Sequence, residues 1–102
     1  MKIVINNDYG GFSVSKKVYD ELGFKWNGYG DLGNDDFGIE SDNYYAYRAD
    51  PRLIKAIEKI GVEEASGYLA SLKVVEIPDD VDWEIDEYDG WESIHESHRV
   101  WS

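Results

Sequence analysis

The chain has 102 residues, with 22 acidic against 10 basic side chains and a net charge of −12 at pH 7. That length suits one small domain with one core, and an aromatic content of 15% supplies large side chains to fill it, which excludes a disordered chain. The charge argues against a direct grip on nucleic acid, which rests on Lys and Arg. There is no run of about 18 apolar residues to span a membrane, and no cysteine for a disulfide or a thiolate metal site. The opening "MKIVINNDYGG" is too short and polar for a signal peptide, so the cytoplasm is the expected compartment.

In chain order, "KIVIN" (Lys2 to Asn6) is a β-branched run ended by polar residues and predicts a strand. "NDYGGF" follows as a loop in which Gly10 and Gly11 are free to take positive φ. "SVSKKVYDELG" predicts a short helix, capped by Ser13 or Ser15 and ended by Gly23, with Val14, Val18, Leu22 and Tyr19 on one face. Residues 24–43 carry four glycines and many Asn and Asp. They predict a loop-rich insertion with a short strand near Phe37 to Glu40, and "YYAYR" (Tyr44 to Arg48) predicts a second strand. "ADPRLIKAIEKIG" is the clearest helix: Asp50 caps it, Pro51 opens it, Gly61 ends it, and Leu53, Ile54, Ile57 and Ile60 form its apolar stripe. "VEEASG" adds one helical turn closed at Gly67. "LKVVEI" (Leu72 to Ile77) predicts a strand stopped by Pro78. "VDWEIDEY" (Val81 to Tyr88) alternates, with Val81, Trp83 and Ile85 on one side and Asp82, Glu84 and Asp86 on the other. Asp89-Gly90 is a two-residue hairpin signal, and "WESIH" is the return strand.

The pattern predicts a single α+β domain: a mostly antiparallel sheet, two main helices on one face, and a C-terminal β-hairpin. Val4, Val74, Trp83 and Ile85 are expected on the helix-covered face, and the other face is expected to be at least half wet.

Among residues that carry chemistry, the acidic stretch stands first. "EIPDDVDWEIDEYDGWE", Glu76 to Glu92, holds nine acids and no base. Residues two apart on a strand share a face at about 6.7 Å spacing, so Asp82, Glu84 and Asp86 form a row. Like charges in a row repel and add nothing to stability without a partner. Glu76, Asp79, Asp80, Glu87, Asp89 and Glu92 extend this acidic half. Tyr88 and Trp91 beside it suit partner anchoring, as Trp and Tyr dominate interface hot spots. The expected partner-binding set is Asp79, Asp80, Asp82, Glu84, Asp86, Tyr88 and Trp91.

A second candidate is the strand–Gly-Gly–helix loop, with Tyr9, Gly10, Gly11, Ser13 and Lys16 as ligand-binding residues for a nucleotide. Helix N-termini offer free N–H groups to phosphate, yet neither GxGxxG nor GxxxxGK[ST] is present. His95 and His98 lack a third metal ligand. "DLGNDDFGIESD" has calcium-loop composition without its spacing. No G-x-S-x-G occurs, so no catalytic residue, metal or cofactor is expected and the chain is read as a non-enzyme.

"MKIVIN" with "YGGFS", "DPRLI", "LKVVEIPDDVDWEIDEYDG" and "HRVW" together resemble a family of small uncharacterised proteins encoded by bacteriophages and prophages. The resemblance covers most of the chain outside 24–46. It carries over no functional residue. It implies an accessory protein in the infected bacterial cytoplasm; joined to the acidic row and the charge of −12, this leads to the expectation of a protein that binds, and inhibits or redirects, a host protein with a basic surface, including nucleic-acid-handling or defence proteins. Two alternatives stay open: a nucleotide-binding protein using the Gly-Gly loop, and a self-associating structural protein with exposed strand edges.

Overall fold

A computed structural model describes residues 1–96 and the backbone of 100–101. The chain is α+β. Strand β1 (Lys2–Asn6) pairs antiparallel with β2 (Leu72–Glu76), with Val4 opposite Val74. β3 (Glu84–Tyr88), β4 (Trp91–His95) and β5 (Val100–Trp101) form a second antiparallel sheet, in which β3 and β4 are the expected C-terminal hairpin. Helices α1 (Lys16–Leu22), α2 (Pro51–Ile60) and the single turn α3 (Val62–Ala65) complete the fold.

The strands divide into two sheets, and this changes what each face of the first one does. A two-stranded ribbon is barely stable alone, and here it is the middle of three layers. Val4 faces the helices, in a cluster with Val14, Val18, Leu53, Ile57 and Leu72. Ile3 and Ile5 face the other way, against Val75, Ile77, Ile85 and Ile94. The face expected to be wet is therefore covered by the hairpin. Trp83 and Ile85 pack on that second face, away from the helix layer of Val4 and Val74. Ile3, Val4 and Ile5 are all fully buried, which explains the unbroken apolar run at the start of the chain: a strand covered on both faces has no polar side to show. Full burial of each such side chain contributes about 1.5–3 kcal/mol.

The helices end where the sequence places their stops. Gly23 takes φ 77°, and its N–H bonds the carbonyls of Asp20 and Tyr19. Asp50 caps α2 by accepting from the Arg52 N–H, and Leu53, Ile54, Ala56 and Ile57 are buried. The Asp50 carboxyl is held below its ordinary pKa, first by the hydrogen bond from the Arg52 side chain. A depressed carboxyl stabilises the fold above its unfolded pKa, and this contribution is lost as pH falls through the folded value. Asp50→Asn keeps a capping oxygen and removes the charge. Its acid unfolding curve should be flatter than that of the parent, measured by circular dichroism between neutral pH and pH about 2. The flattening should be partial, because Lys17 lowers Glu64 and the N-terminal ammonium lowers Asp79 in the same direction.

Neither the strand expected within the insertion nor the one expected at Tyr44 to Arg48 forms. Phe37 closes a 3-10 turn (Asn34–Phe37), and the Tyr-rich stretch becomes a turn followed by a 3-10 turn (Ala46–Ala49). Asparagine chemistry is the reason. Asn43 Oδ1 accepts from the Tyr45 N–H at 2.9 Å and bends the chain, while Asn34 Oδ1 accepts from the Tyr47 N–H at 2.8 Å. Such side-chain bonds compete with ladder bonds. The aromatic rings that looked like strand residues extend the helix-side core instead. Phe37 stacks on Tyr47 with centroids 6.2 Å apart, and Tyr19 meets Trp26 edge-on at 4.9 Å.

Candidate functional site

The hairpin turns at Asp89 and Gly90, both at positive φ (55° and 92°), the turn geometry that matches strand twist. Its register puts Glu84 opposite His95, Asp86 opposite Ser93 and Tyr88 opposite Trp91, with Ile85 opposite Ile94 between them. Ile85 and Ile94 point inward and are buried; Glu84, Asp86 and Tyr88 are exposed, Tyr88 at 79%. The structure thus brings Glu84, Asp86, Tyr88 and Trp91 along one outward face, with Asp82 exposed in the segment that leads into it. Asp79 and Asp80 sit in the exposed turn before it, where Asp79 takes the N-terminal ammonium. Asp86 has His95 Nε2 at 3.6 Å. Among the described residues, no Lys or Arg pairs with Asp82, Glu84, Glu87 or Asp89. Tyr9 joins this face from the Gly-Gly loop, its ring tilted on Trp91 at 5.1 Å.

The other members of the loop candidate have partners within the fold. Helix α1 is seven residues long, Lys16 pairs with Asp20 at 3.1 Å, and Ser15 Oγ donates to the Glu64 carbonyl. Ser13 Oγ donates to the Tyr68 carbonyl at 3.4 Å. A Cβ on Gly10 would collide with the Leu69 carbonyl, and one on Gly67 with Ser13. Gly10 is thus required by close backbone packing.

Glu92 does not belong to the acidic surface in which the sequence places it. It faces inward, is 3% exposed, and meets Arg48, itself 2% exposed. Arg48 Nη1 donates to Glu92 Oε1 at 2.7 Å and Nη2 to Oε2 at 2.9 Å, a bidentate pair. Nη1 also reaches the Val4 carbonyl at 3.3 Å, and Glu92 Oε1 accepts the Asn6 N–H at 2.8 Å. Asn6 continues the network: its Nδ2 donates to the Asp8 and Gly90 carbonyls, and its Oδ1 accepts from the Ser71 N–H. The Phe12 ring covers the guanidinium at 3.5 Å. Burial works against the Arg48 charge, but the hydrogen bonds and charge of Glu92, together with the adjacent Tyr47, outweigh it and leave the pKa raised. Beside this pair lies a cleft of about 500 Å³, between the Gly-Gly loop, the insertion and the hairpin, walled by Phe12, Asp31, Tyr44, Tyr45, Arg48 and Glu87.

Among the described residues, no group of three or more His, Cys, Asp or Glu is placed to hold a metal ion; His98 lies outside them. No helix among them is long and apolar enough to cross a membrane. The chain matches no protein-family model, no curated protein and no solved structure.

Proposed function

We propose that the chain acts by binding a protein, and that the outward hairpin face is the contact surface. The observation that carries this reading is a line of exposed carboxylates that no Lys or Arg among the described residues pairs with, continuing into three exposed aromatics, Tyr88, Trp91 and Tyr9. Carboxylates in a row do not help a sheet fold, and a Tyr–Trp cluster exposed at its end has the make-up of an interface anchor. The partner is a protein with a basic surface, since opposite potentials steer association and set register. The phage-type resemblance supplies the setting: a host protein in an infected bacterial cell, of the nucleic-acid-handling or defence kind, inhibited or redirected by a partly DNA-mimicking face. Self-association is less favoured, because copies that each carry −12 repel.

The test is capture from bacterial lysate at low and high salt, followed by affinity measurement with the purified partner. Glu84→Lys with Asp86→Lys should weaken binding about tenfold or more and reduce its salt dependence. Glu63→Lys, on α3 and away from the hairpin, should leave it unchanged. A partner held equally by both variants, or no salt-sensitive partner, defeats the reading.

A further inference from the structure

We propose that the cleft beside Arg48 is a binding site for a neutral, planar heterocycle of nucleobase type, which accepts a hydrogen bond from Arg48 and donates one to Glu87. Its size falls in the range of small-molecule sites, and Arg48, which lines it, has one buried polar atom without a partner. Arg48 Nη1 and Nη2 are held by Glu92, but among the described residues the buried Nε has no hydrogen-bond partner. Tyr47 holds its hydroxyl beside the guanidinium and supports its charge by a hydrogen-bonding contact, yet Nε itself has no partner in bonding geometry. An orphaned buried donor costs about 1–3 kcal/mol, and a native fold seldom leaves one without a reason. Arginine presents its donors as a rigid fork. With the end-on pair of nitrogens given to Glu92, the Nε edge is the part left to take an acceptor.

The surrounding charge selects the class of ligand. Glu92 already neutralises Arg48, and among the described residues Asp31 and Glu87 are the remaining charged groups of the wall, with no Lys or second Arg lining it. An anion entering here meets two carboxylates and no spare cation. A ligand that is uncharged, with an acceptor beside a donor on one edge, satisfies both Arg48 Nε and the Glu87 carboxylate. Flatness follows from the walls. Tyr44 and Tyr45 meet edge-to-face at 5.0 Å, Tyr44 is 77% exposed, and Tyr45 stands 5.3 Å from the guanidinium carbon. They offer a ring surface for stacking, worth about 1–3 kcal/mol per base in comparable sites. Nε itself is closed to water, so a side chain of the wall must turn aside as the ligand enters. This site lies on the inward side of the hairpin and does not depend on the outward face proposed above.

The experiment is a titration of the full chain with adenosine, guanosine, cytidine and uridine, reading the Arg48 Nε–H resonance by proton–nitrogen NMR. The matched monophosphates and a short single-stranded oligonucleotide form two further arms. At least one nucleoside should shift the resonance saturably, its monophosphate should bind about tenfold more weakly through repulsion by Asp31 and Glu87, and the oligonucleotide should not exceed it. Exposed Glu87→Ala, folded by circular dichroism, should abolish the shift, and Glu84→Lys with Asp86→Lys should preserve it. No shift with any nucleoside up to its solubility limit overturns the site. Tighter binding of the monophosphate or oligonucleotide overturns the ligand class, and a shift surviving Glu87→Ala overturns the location.

Discussion

Glu92→Ala is expected to lower the stability of the fold by about 3–5 kcal/mol, because it leaves a buried guanidinium without its counter-charge. Small domains have only about 5–15 kcal/mol in total, so the variant should sit near the edge of unfolding. Arg48→Met is expected to cost a similar amount, stranding the Glu92 carboxylate with the Asn6 N–H as its remaining buried partner. The double variant Arg48→Met with Glu92→Leu should be far milder than the sum of the two, since well-packed apolar pairs often replace buried ion pairs at little cost. Urea unfolding of the four proteins gives the coupling directly, and a sum within about 0.5 kcal/mol of additivity would contradict the pair. The surface pair Lys16–Asp20 makes the contrast. Both partners are about 60% exposed, so its removal should change stability by no more than about 0.5 kcal/mol.

The same hairpin therefore has two unlike acidic faces. Outward, Glu84 and Asp86 are exposed, Asp86 with His95 as its neighbour; inward, Glu92 ties the hairpin to β1 and to the 3-10 turn Ala46–Ala49 through Arg48 and Asn6. Much of this was legible in the sequence. Val81, Trp83 and Ile85 alternate against Asp82, Glu84 and Asp86, and the structure keeps the acids out and Ile85 in. Asp89-Gly90 fixed the hairpin because few other dipeptides accept two positive φ values. Asp50-Pro51 opening α2 and Gly61 following it are similarly local signals. What stayed hidden was tertiary. Periodicity assigns a residue to a face, but it does not say which layer that face meets, so the division into two sheets was not visible. Arg48 read as the end of a Tyr-rich strand because an Asn43 turn is decided by one side chain. Glu92 did leave a signal. A two-residue turn at Asp89-Gly90 pairs Ile85 with Ile94, and the same register then places Glu87 opposite Glu92 on the inward side. A carboxylate on an apolar face requires a cation, as buried Glu92 does, and a sequence with ten basic residues offers few.

Gly90→Ala is the second large effect expected. Gly90 is at φ 92°, and an added Cβ would collide with the Gly11 nitrogen and the Tyr9 carbonyl. Two costs therefore combine: about 1–3 kcal/mol for a side chain in that backbone region and about 1–3 kcal/mol for overpacking against a backbone that cannot yield. The backbone here is held further by the Asn6 Nδ2 bond to the Gly90 carbonyl and by the Glu87 carboxylate accepting the Gly90 N–H. Gly11→Ala isolates the first cost. Gly11 has φ 89°, yet nothing lies within 4 Å of its added Cβ, so only the conformational part should appear. Thermal unfolding should rank the parent above Gly11→Ala and Gly11→Ala well above Gly90→Ala. Equal losses in the two variants would mean that the loop and the hairpin are not in contact. The Gly90 variant should also separate Tyr9 from Trp91, since the loop must retreat from the turn. Quenching of Trp fluorescence by added iodide would report that opening, and it should increase in Gly90→Ala under conditions where the protein is still folded.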